Sequence, residues 1–201
     1  ENSKGWPIPS WKKAKIDWPV MEDSVRFVSL SDDDALLKKR DAEAAVEKIL
    51  GKWTEAFCAD LVALAKTVDP SKDVADEKNG DSPEYKARQG LWMAAESARI
   101  LSAERRGVQG VENVNRIICS QIRKRISSDK TVLATRYFPG QILMFTKNLA
   151  DFKLFNGDSG IIVKSAEGMD YLMVQKGDEF PCYPISVFPS ESLETAFAIT
   201  V

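Results

Sequence analysis

The fold prediction rests on two neighbouring stretches, Gly140-Gln-Ile-Leu-Met-Phe-Thr-Lys-Asn148 and Leu154-Phe-Asn-Gly-Asp-Ser-Gly-Ile-Ile-Val163. Ile142 to Phe145 form an apolar run of strand length. Asn156-Gly157 predicts a hairpin turn, because both residues tolerate a positive φ. Ile161 to Val163 then resume the β pattern. The two stretches therefore predict two short strands joined by a turn, which is typical of many small β-barrels.

The composition is that of a globular protein. The chain has 201 residues, of which 44% are hydrophobic and 29% charged, enough for one or two domains with a core. Three widely spaced cysteines, Cys58, Cys119 and Cys182, predict reduced thiols in a cytoplasmic protein. The sequence has no histidine, which excludes histidine-based triads and histidine-containing zinc sites. No apolar run has the length of a membrane span, so no membrane partner is predicted.

The stretch quoted first resembles a segment of the RecD family, the α chain of exodeoxyribonuclease V. Members of that family carry a glycine, a β run ending in Thr-Arg-Asn or a similar triplet, and then Leu-Phe-Asn-Gly-Asp-x-Gly-Ile. In the family this segment belongs to an SH3-like β-barrel, which is inserted into the second RecA-like domain of a superfamily 1 DNA helicase. The resemblance implies such a barrel over residues 127–190.

A second stretch, residues 98–115, resembles helicase motif IV of the same family. The family pattern is Leu-Cys-Ala-x-Arg-x-Gly-x-x-Gly-Val-x-x-Leu-Asn at the end of a strand. Four residues fall on the family's own, and two differ from it because serine replaces the cysteine and valine the leucine. The matching residues are Arg105, Gly107, Gly110 and Asn115, and the differing ones are Ser102 and Val114.

The motif implies a nucleotide-sensing role for Arg105. An arginine at the end of a strand can reach a nucleotide phosphate that is held by a facing domain. Arg106 is the competing candidate, because it stands next to Arg105 in the sequence. The alternative interpretation is a pair of solvated surface arginines.

Hydrophobic periodicity predicts three helices and a strand before the barrel. Apolar residues between Asp41 and Val68 recur at spacings of three and four, which predicts a long helix with an interruption at Gly51 left open. Ser82-Pro83 is an N-cap followed by a first helical residue. Arg99 to Ala103 is predicted as a buried strand, and Val111 to Ile126 as the third helix. Strands are then predicted at Gln141–Thr146, Gly160–Lys164, Asp170–Gln175 and Phe180–Ile185, with turns at Asn156-Gly157, Glu167-Gly168 and Lys176-Gly177.

The two ends of the sequence carry weaker signals. Residues 1–24 contain three tryptophans among prolines, which predicts an irregular lead-in whose rings either stack on bases or pack on a core. Val25 to Leu30 is predicted as a strand. Glu194 to Val201 resembles the family's Ala-x-Thr-Val, which runs into the helicase motif His-Lys-Ser-Gln-Gly-Ser-Glu. Both ends look cut, so we expect a piece of a larger protein.

Charge is uneven along the chain. Residues 99–136 hold nine lysines and arginines against three acidic residues, a net charge of +6, whereas the whole chain carries −2. This favours contacts with a phosphate backbone, although a basic face that only solvates a helix is the alternative. The candidate DNA-binding residues in this stretch are Arg116, Arg123, Lys124 and Arg125, with Lys130 and Arg136 beside them. A second set, Lys147, Asn148, Phe155 and Asn156, lies in a connection between strands, although Phe155 could instead belong to the barrel core.

These observations predict an α/β fold class, with α+β content in this chain: part of a RecA-like domain 2 with an inserted SH3-like barrel. The predicted parts are an irregular lead-in at 1–24, a motor-domain part at 25–126, the barrel at 127–190 and a returning strand at 191–201. The implied function is that of an ATP-dependent 5′-to-3′ DNA helicase in repair and recombination. Its implied partners are single-stranded DNA and other exodeoxyribonuclease V subunits.

ATP and Mg²⁺ are implied for the parent protein only. The sequence holds no Gly-x-x-x-x-Gly-Lys-[Ser/Thr] loop, so we expect no ATP hydrolysis by this chain alone. The rival function is a non-enzymatic SH3-like module that binds other proteins. A nuclease is less well supported, because no spaced cluster of carboxylates with a lysine is evident.

Overall fold

Three helices and seven strands make up the part of the chain that the computed structural model describes, residues 39–72, 82–126 and 136–200. The mixed α and β content predicted from the sequence is confirmed. The predictions for residues 1–24, for Val25–Leu30 and for Lys130 lie outside these ranges. The helices are α1 (Lys39–Ala65), α2 (Pro83–Glu96) and α3 (Val111–Arg125); the strands are β1 (Ile100–Ser102), β2 (Ile142–Phe145), β3 (Ser159–Lys164), β4 (Asp170–Val174), β5 (Cys182–Pro184), β6 (Leu193–Thr195) and β7 (Ala198–Thr200).

The strands form two sheets. β1 and β7 pair in parallel, with Ile100 opposite Ala198 and Ser102 opposite Thr200. The other five strands form an antiparallel sheet in the order β5-β4-β3-β2-β6. Within the described ranges no ladder joins β5 to β6, so the five-stranded sheet is open and does not close into a barrel.

The five-stranded sheet is covered on both faces along its centre. Alternate residues of a strand point to opposite faces, and on β2 both Leu143 and Phe145 point into a core with Ile162 and Leu172. On the opposite face Ile142, paired with Ile161 on β3, is equally buried. This explains why β3 has a continuous run of buried residues, the pattern of a strand packed on two sides.

The connection between β2 and β3 is longer than the two-residue turn that Asn156-Gly157 suggested. These residues do form a turn, and Gly157 has a φ of 98°. However, the chain first makes a 3-10 turn at Ala150–Phe152, and Leu149 and Leu154 form an isolated bridge. The turn signal therefore gave the place where the chain reverses, but not the length of the loop.

Local signals explain the helices. Ser82 caps α2 by accepting a hydrogen bond from the Tyr85 N–H at 3.0 Å, and Pro83 is the first helical residue, which confirms this helix start. α1 continues through Gly51 without a break. The Gly51 carbonyl accepts a hydrogen bond from Arg125 on α3, and packing of α1 on α3 offsets the low helix propensity of glycine.

The prediction of a buried strand at Arg99–Ala103 is wrong in one respect. The strand β1 is shorter, Ile100–Ser102, and the Leu101 side chain is 56% exposed. β1 pairs only with β7 among the described strands. The exposed Leu101 side chain shows that, within the described ranges, no second layer covers this face of β1, as one does in the centre of a larger parallel sheet.

A buried arginine joins α2 to the loop after α1 and to the five-stranded sheet. The Arg88 guanidinium donates to the Phe180 carbonyl at 3.0 Å and to the Asp69 and Lys72 carbonyls at 2.9 and 2.7 Å. Its charge is balanced by Glu84, whose Oε1 is 3.0 Å from Nε. The Arg88 side chain is only 2% exposed, so these partners replace the water that it loses on folding.

Gly140 allows α1 to approach the start of β2. Its φ is 81°, and a Cβ at this position would lie 2.9 Å from the Leu61 carbonyl oxygen. Gly168 has nearly the same φ, 82°, but open space around it. We expect Gly168→Ala to lower the free energy of unfolding by about 1 kcal/mol and Gly140→Ala by at least about 3 kcal/mol, since the second adds a backbone clash to the same strain. Urea unfolding measures both, and equal losses would contradict the close approach.

We expect Arg88→Met to lower the free energy of unfolding by about 3–5 kcal/mol, because Glu84 and three carbonyls lose their partner. Glu84→Met combined with Arg88→Met should unfold at a higher urea concentration than Arg88→Met alone, since no carboxylate without a counter-ion then remains; the Asp69 N–H, which donates to Glu84 at 3.0 Å, loses its acceptor in the double variant and limits the gain. Lys66→Ala, a change at an exposed lysine directly after α1, is the control. A double variant whose loss equals the sum of the single losses would show that the pair is not coupled.

Candidate functional site

A groove of about 790 Å³ lies between α3 and the strands β2, β6 and β7. We call it the basic groove. It takes side chains from one face of the helix and from the strand ends that face it. Its lining includes Arg105, Val111, Glu112, Asn115, Arg116, Cys119, Ser120, Arg123, Lys124, Gln141, Met144, Glu194, Thr195, Ala198, Ile199 and Thr200.

The basic groove brings together four of the basic residues that the sequence singled out. Arg116, Arg123 and Lys124 lie on one face of α3, because positions seven and eight residues apart return to the same side of a helix. Arg105 reaches the groove from the loop that precedes this helix. Arg106 and Arg125 are not part of the lining, and Arg125 instead lies against α1.

The basic residues of α3 differ in how firmly they are held. The Arg123 guanidinium donates to the Arg136 carbonyl at 2.6 Å and lies 5.1 Å from the centre of the Phe138 ring. Arg116 is exposed, and it donates to the side chain of Asn113 in the previous helical turn. Arg123 therefore belongs to the wall of the groove, whereas Arg116 lies at its open side.

Arg105 is held between two carboxylates at the mouth of the groove. Its Nε donates to Glu112 and its Nη2 to Glu194, both at 3.1 Å. The hydrogen bond that Arg105 donates to Glu112, together with attraction by Glu194, raises the pKa of Arg105 above its usual value. Arg106 is farther from Glu112, at 3.7 Å, and is more exposed. The structure therefore distinguishes the two adjacent arginines: Arg105 is the one oriented toward the groove.

The loop that carries Arg105 is fastened to the start of α3. The first two N–H groups of the helix, at Val111 and Glu112, donate to the carbonyls of Glu104 and Arg105. A Cβ on Gly110 would lie 2.5 Å from the Arg106 carbonyl carbon, so only glycine allows the loop to fold back this closely. The glycine of the motif thus fixes the backbone of the arginine pair.

A cross-strand row on the five-stranded sheet receives two arginines. Met144 on β2 pairs with Ser159 on β3 and with Glu194 on β6, so the three side chains share one face. Arg99 donates to Ser159 at 3.1 Å, and Arg105 donates to Glu194 at the other end of the row. Burial lowers the pKa of Arg99. The sequence analysis assigned no role to Arg99 or Glu194, because the contacts depend on strand register.

Asn115 holds the segment between β6 and β7. Its Nδ2 donates to the Thr195 and Ala198 carbonyls at 2.8 and 3.0 Å, and its Oδ1 accepts from the Ala198 N–H at 2.8 Å. Gln141, where the chain enters the five-stranded sheet, donates to Thr195 Oγ1 at 3.1 Å. The Asn115 amide pairs backbone groups that the strands leave open, and the Gln141 amide binds the Thr195 side chain next to them. They therefore determine the floor of the groove.

The second predicted set of DNA-binding residues is gathered in one loop. Asn148 Oδ1 accepts from the Asn156 N–H at 2.8 Å, and Asp158 accepts from the Phe155 N–H at 2.8 Å. The Phe155 side chain is 59% exposed, so it does not belong to the core of the sheet. Lys147 is exposed beside it. The loop thus presents an aromatic ring on a backbone that side-chain hydrogen bonds hold in place.

A triphosphate does not fit the residues at the mouth of the groove as they stand. Both donors that Arg105 directs there are engaged by carboxylates, and two acidic side chains line the same wall. Burial raises the pKa of Cys119, which also lines the groove, to about 11, so its thiol is protonated near neutral pH. The groove is therefore suited to binding an extended anion along the cations of α3.

Comparisons with known proteins give no further guide to the site. No protein-family model matches the chain, and no curated protein matches it. Among the described residues, no group of three or more acidic or cysteine side chains could hold a metal ion. None of the helices in these ranges is long and apolar enough to cross a membrane. The proposal for function therefore depends on the geometry of the groove and the loop.

Proposed function

We propose that this chain is a single-stranded DNA-binding part of an ATP-dependent DNA helicase of the RecD type. The observation that carries the proposal is the basic groove, in which four of the predicted cations line one channel. Its lining holds four basic against two acidic side chains, although the whole chain carries −2. Such a local excess of positive charge attracts a phosphate backbone without regard to base sequence.

The strand order supports the RecA-like assignment with an inserted antiparallel sheet. β1, α3 and β7 form a strand-helix-strand unit with parallel strands, the unit from which α/β motor domains are built. All five strands of the second sheet lie between α3 and β7 in the sequence. A small antiparallel sheet inserted into a parallel unit is the arrangement that the RecD resemblance implies. We propose that this sheet is the SH3-like element.

In this proposal the groove and the loop contact different parts of the single-stranded DNA. Arg116 and Lys124 attract backbone phosphates, and the exposed ring of Phe155 stacks on a base. β2 connects the two places, since Met144 lines the groove and Lys147 follows three residues later, about 10 Å along an extended chain. Cations that contact phosphates and a ring that stacks on any base carry no sequence information, so binding is expected to be independent of sequence.

ATP and Mg²⁺ are proposed as ligands of the parent protein. Arg105 is the residue of this chain that would face the phosphates of ATP in the parent protein, once Glu112 and Glu194 release its guanidinium. The proposal also includes other exodeoxyribonuclease V subunits as partners and a cytoplasmic location.

We expect the chain to bind an oligothymidylate of about 15 nucleotides, with an affinity that falls steeply as salt rises. Arg116→Ala with Lys124→Ala should weaken binding and lower the slope of log K against log salt by about 1.4, because each phosphate contact in a single strand contributes about 0.7. Lys52→Ala with Lys66→Ala removes the same charge outside the groove lining and is the control. Fluorescence anisotropy measures both, and an equal effect of the two double variants would contradict a site in the groove.

We expect Phe155→Ala to weaken binding of the same oligothymidylate by roughly 5- to 100-fold while leaving the salt slope unchanged, since stacking is worth about 1–3 kcal/mol per base. Met169→Ala is the matched control, because Met169 is also an exposed apolar side chain, 55% exposed, and lies at another turn of the sheet. An equal loss of affinity in Met169→Ala, or an unchanged affinity in Phe155→Ala, would show that the Phe155 ring does not contact bases.

The rival function, a module that binds proteins, predicts the opposite result. It gives no measurable affinity for oligothymidylate at low salt. It also predicts that the double variant of Arg116 and Lys124 behaves like the control.

A further inference from the structure

The two carboxylates at Arg105 use a particular edge of its guanidinium. Nε and Nη2 donate from the same edge, and Glu112 contacts the first whereas Glu194 contacts the second, each at 3.1 Å. A phosphate that binds an arginine in a bidentate manner accepts hydrogen bonds from the two donors of such an edge with two of its oxygens. Here the two oxygens come from two glutamates instead, so together they occupy the place of one bidentate oxyanion.

These glutamates are supplied by different parts of the fold. Glu112 lies in the first turn of α3, where a carboxylate also interacts favourably with the helix dipole. Glu194 lies on β6, and its position is fixed by pairing with Met144. All three side chains remain accessible: Arg105 is 64% exposed, Glu112 50% and Glu194 36%. A ligand in the groove can therefore displace the carboxylates without unfolding any part of the chain.

We propose that Glu112 and Glu194 act as an internal counter-ion that holds the phosphate-binding edge of Arg105 until a phosphate oxyanion replaces them. The inference rests on the proposed function, since it takes the basic groove to be a phosphate site. The two glutamates then determine how strongly a ligand must be charged to engage Arg105. An anion must compete with two carboxylates for the same two donors, so anions that accept only weak hydrogen bonds from a guanidinium are disfavoured.

The phosphate oxyanion that binds Arg105 could belong to a polyphosphate tail or to the backbone of DNA. Sodium tripolyphosphate, measured by calorimetry, probes the first. A labelled oligothymidylate of about 15 nucleotides, measured by anisotropy, probes the second. Both titrations use the full chain.

The informative variant is E112Q/E194Q, which keeps the shape of both side chains and removes their charge. The matched control is E167Q/E191Q, which changes the net charge equally at two exposed glutamates outside the groove lining. We expect E112Q/E194Q to bind at least one probe roughly fivefold more tightly than the control does, because exposed ion pairs of this kind have modest strength. Adding R105Q should abolish the gain, which separates release of Arg105 from a general change of charge.

The outcomes separate the inference from the proposed function. If the wild-type chain binds oligothymidylate but E112Q/E194Q gains no more than the control on either probe, the inference is wrong and the function stands. If neither the wild type nor any variant binds oligothymidylate, but E112Q/E194Q gains affinity for tripolyphosphate through Arg105, the proposed function is wrong and the inference stands. A gain that persists with R105Q overturns the inference, and absence of binding to both probes overturns both. A gain on tripolyphosphate alone identifies the polyphosphate tail as the ligand of Arg105.

Discussion

The parallel pairing of β1 with β7 is the constraint on which the other features depend. Parallel strands cannot be joined by a tight turn, so the chain must leave the end of one and return to the start of the other. Here the return path contains α3 and the whole five-stranded sheet. The chain must then enter this sheet, at β2, and leave it, after β6, at places that lie close together beside α3. The basic groove lies at this meeting point, because a helix, two sheets and their connection cannot fill the space between them completely.

The long connection between β1 and β7 requires stabilising contacts where its two ends meet. Asn115 and Ala198 are 83 residues apart along the chain, and ordering such a loop has an entropic cost that contacts at its ends must offset. Three hydrogen bonds from one amide meet part of that cost and satisfy backbone groups that would otherwise be buried without partners. The stacked rings of Phe138 and Phe197, 6.4 Å apart and nearly parallel, add apolar contact on the same side. Arg123 covers Phe138, so a residue of the groove wall also stabilises the junction.

The sequence predicted those features that depend on neighbouring residues. The cap at Ser82, the amphipathic face of α3 and the turn at Asn156-Gly157 follow from local chemistry, and each is present. The predicted strands from β2 to β5 were also found; β2, β4 and β5 are shorter than predicted, and β3 begins one residue earlier, at Ser159. What the sequence did not predict depends on register or on distant packing. The burial of Arg88, the continuity of α1 through Gly51 and the exposure of Leu101 belong to this group.

The site shows the same division. Periodicity places Arg116, Arg123 and Lys124 on one helix face, and the motif places Arg105 before that helix, so four cations of the groove were predictable. Glu194 was not, since its contact with Arg105 spans 89 residues and exists only because β6 pairs with β2 in one register. A shift of one residue would turn Glu194 to the other face. Arg99 was missed for the same reason, because its partner Ser159 belongs to the same cross-strand row.

The placing of acidic residues beside the cations bears on what kind of binding the groove can provide. A site built only of exposed arginines and lysines would hold any polyanion, and its strength would grow with each contact. A motor that moves along DNA must instead release each contact as readily as it makes it, so tight binding at any one phosphate would slow the next step. Carboxylates that compete for Arg105 lower the net gain of a phosphate contact, because the ion pairs that they form with it are lost when the phosphate binds. Exposed ion pairs of this kind are weak, so this cost is modest and does not prevent binding. If the proposed function holds, the mixed charge of the groove is better suited to transient contact with a moving DNA strand than to static storage of a polyanion.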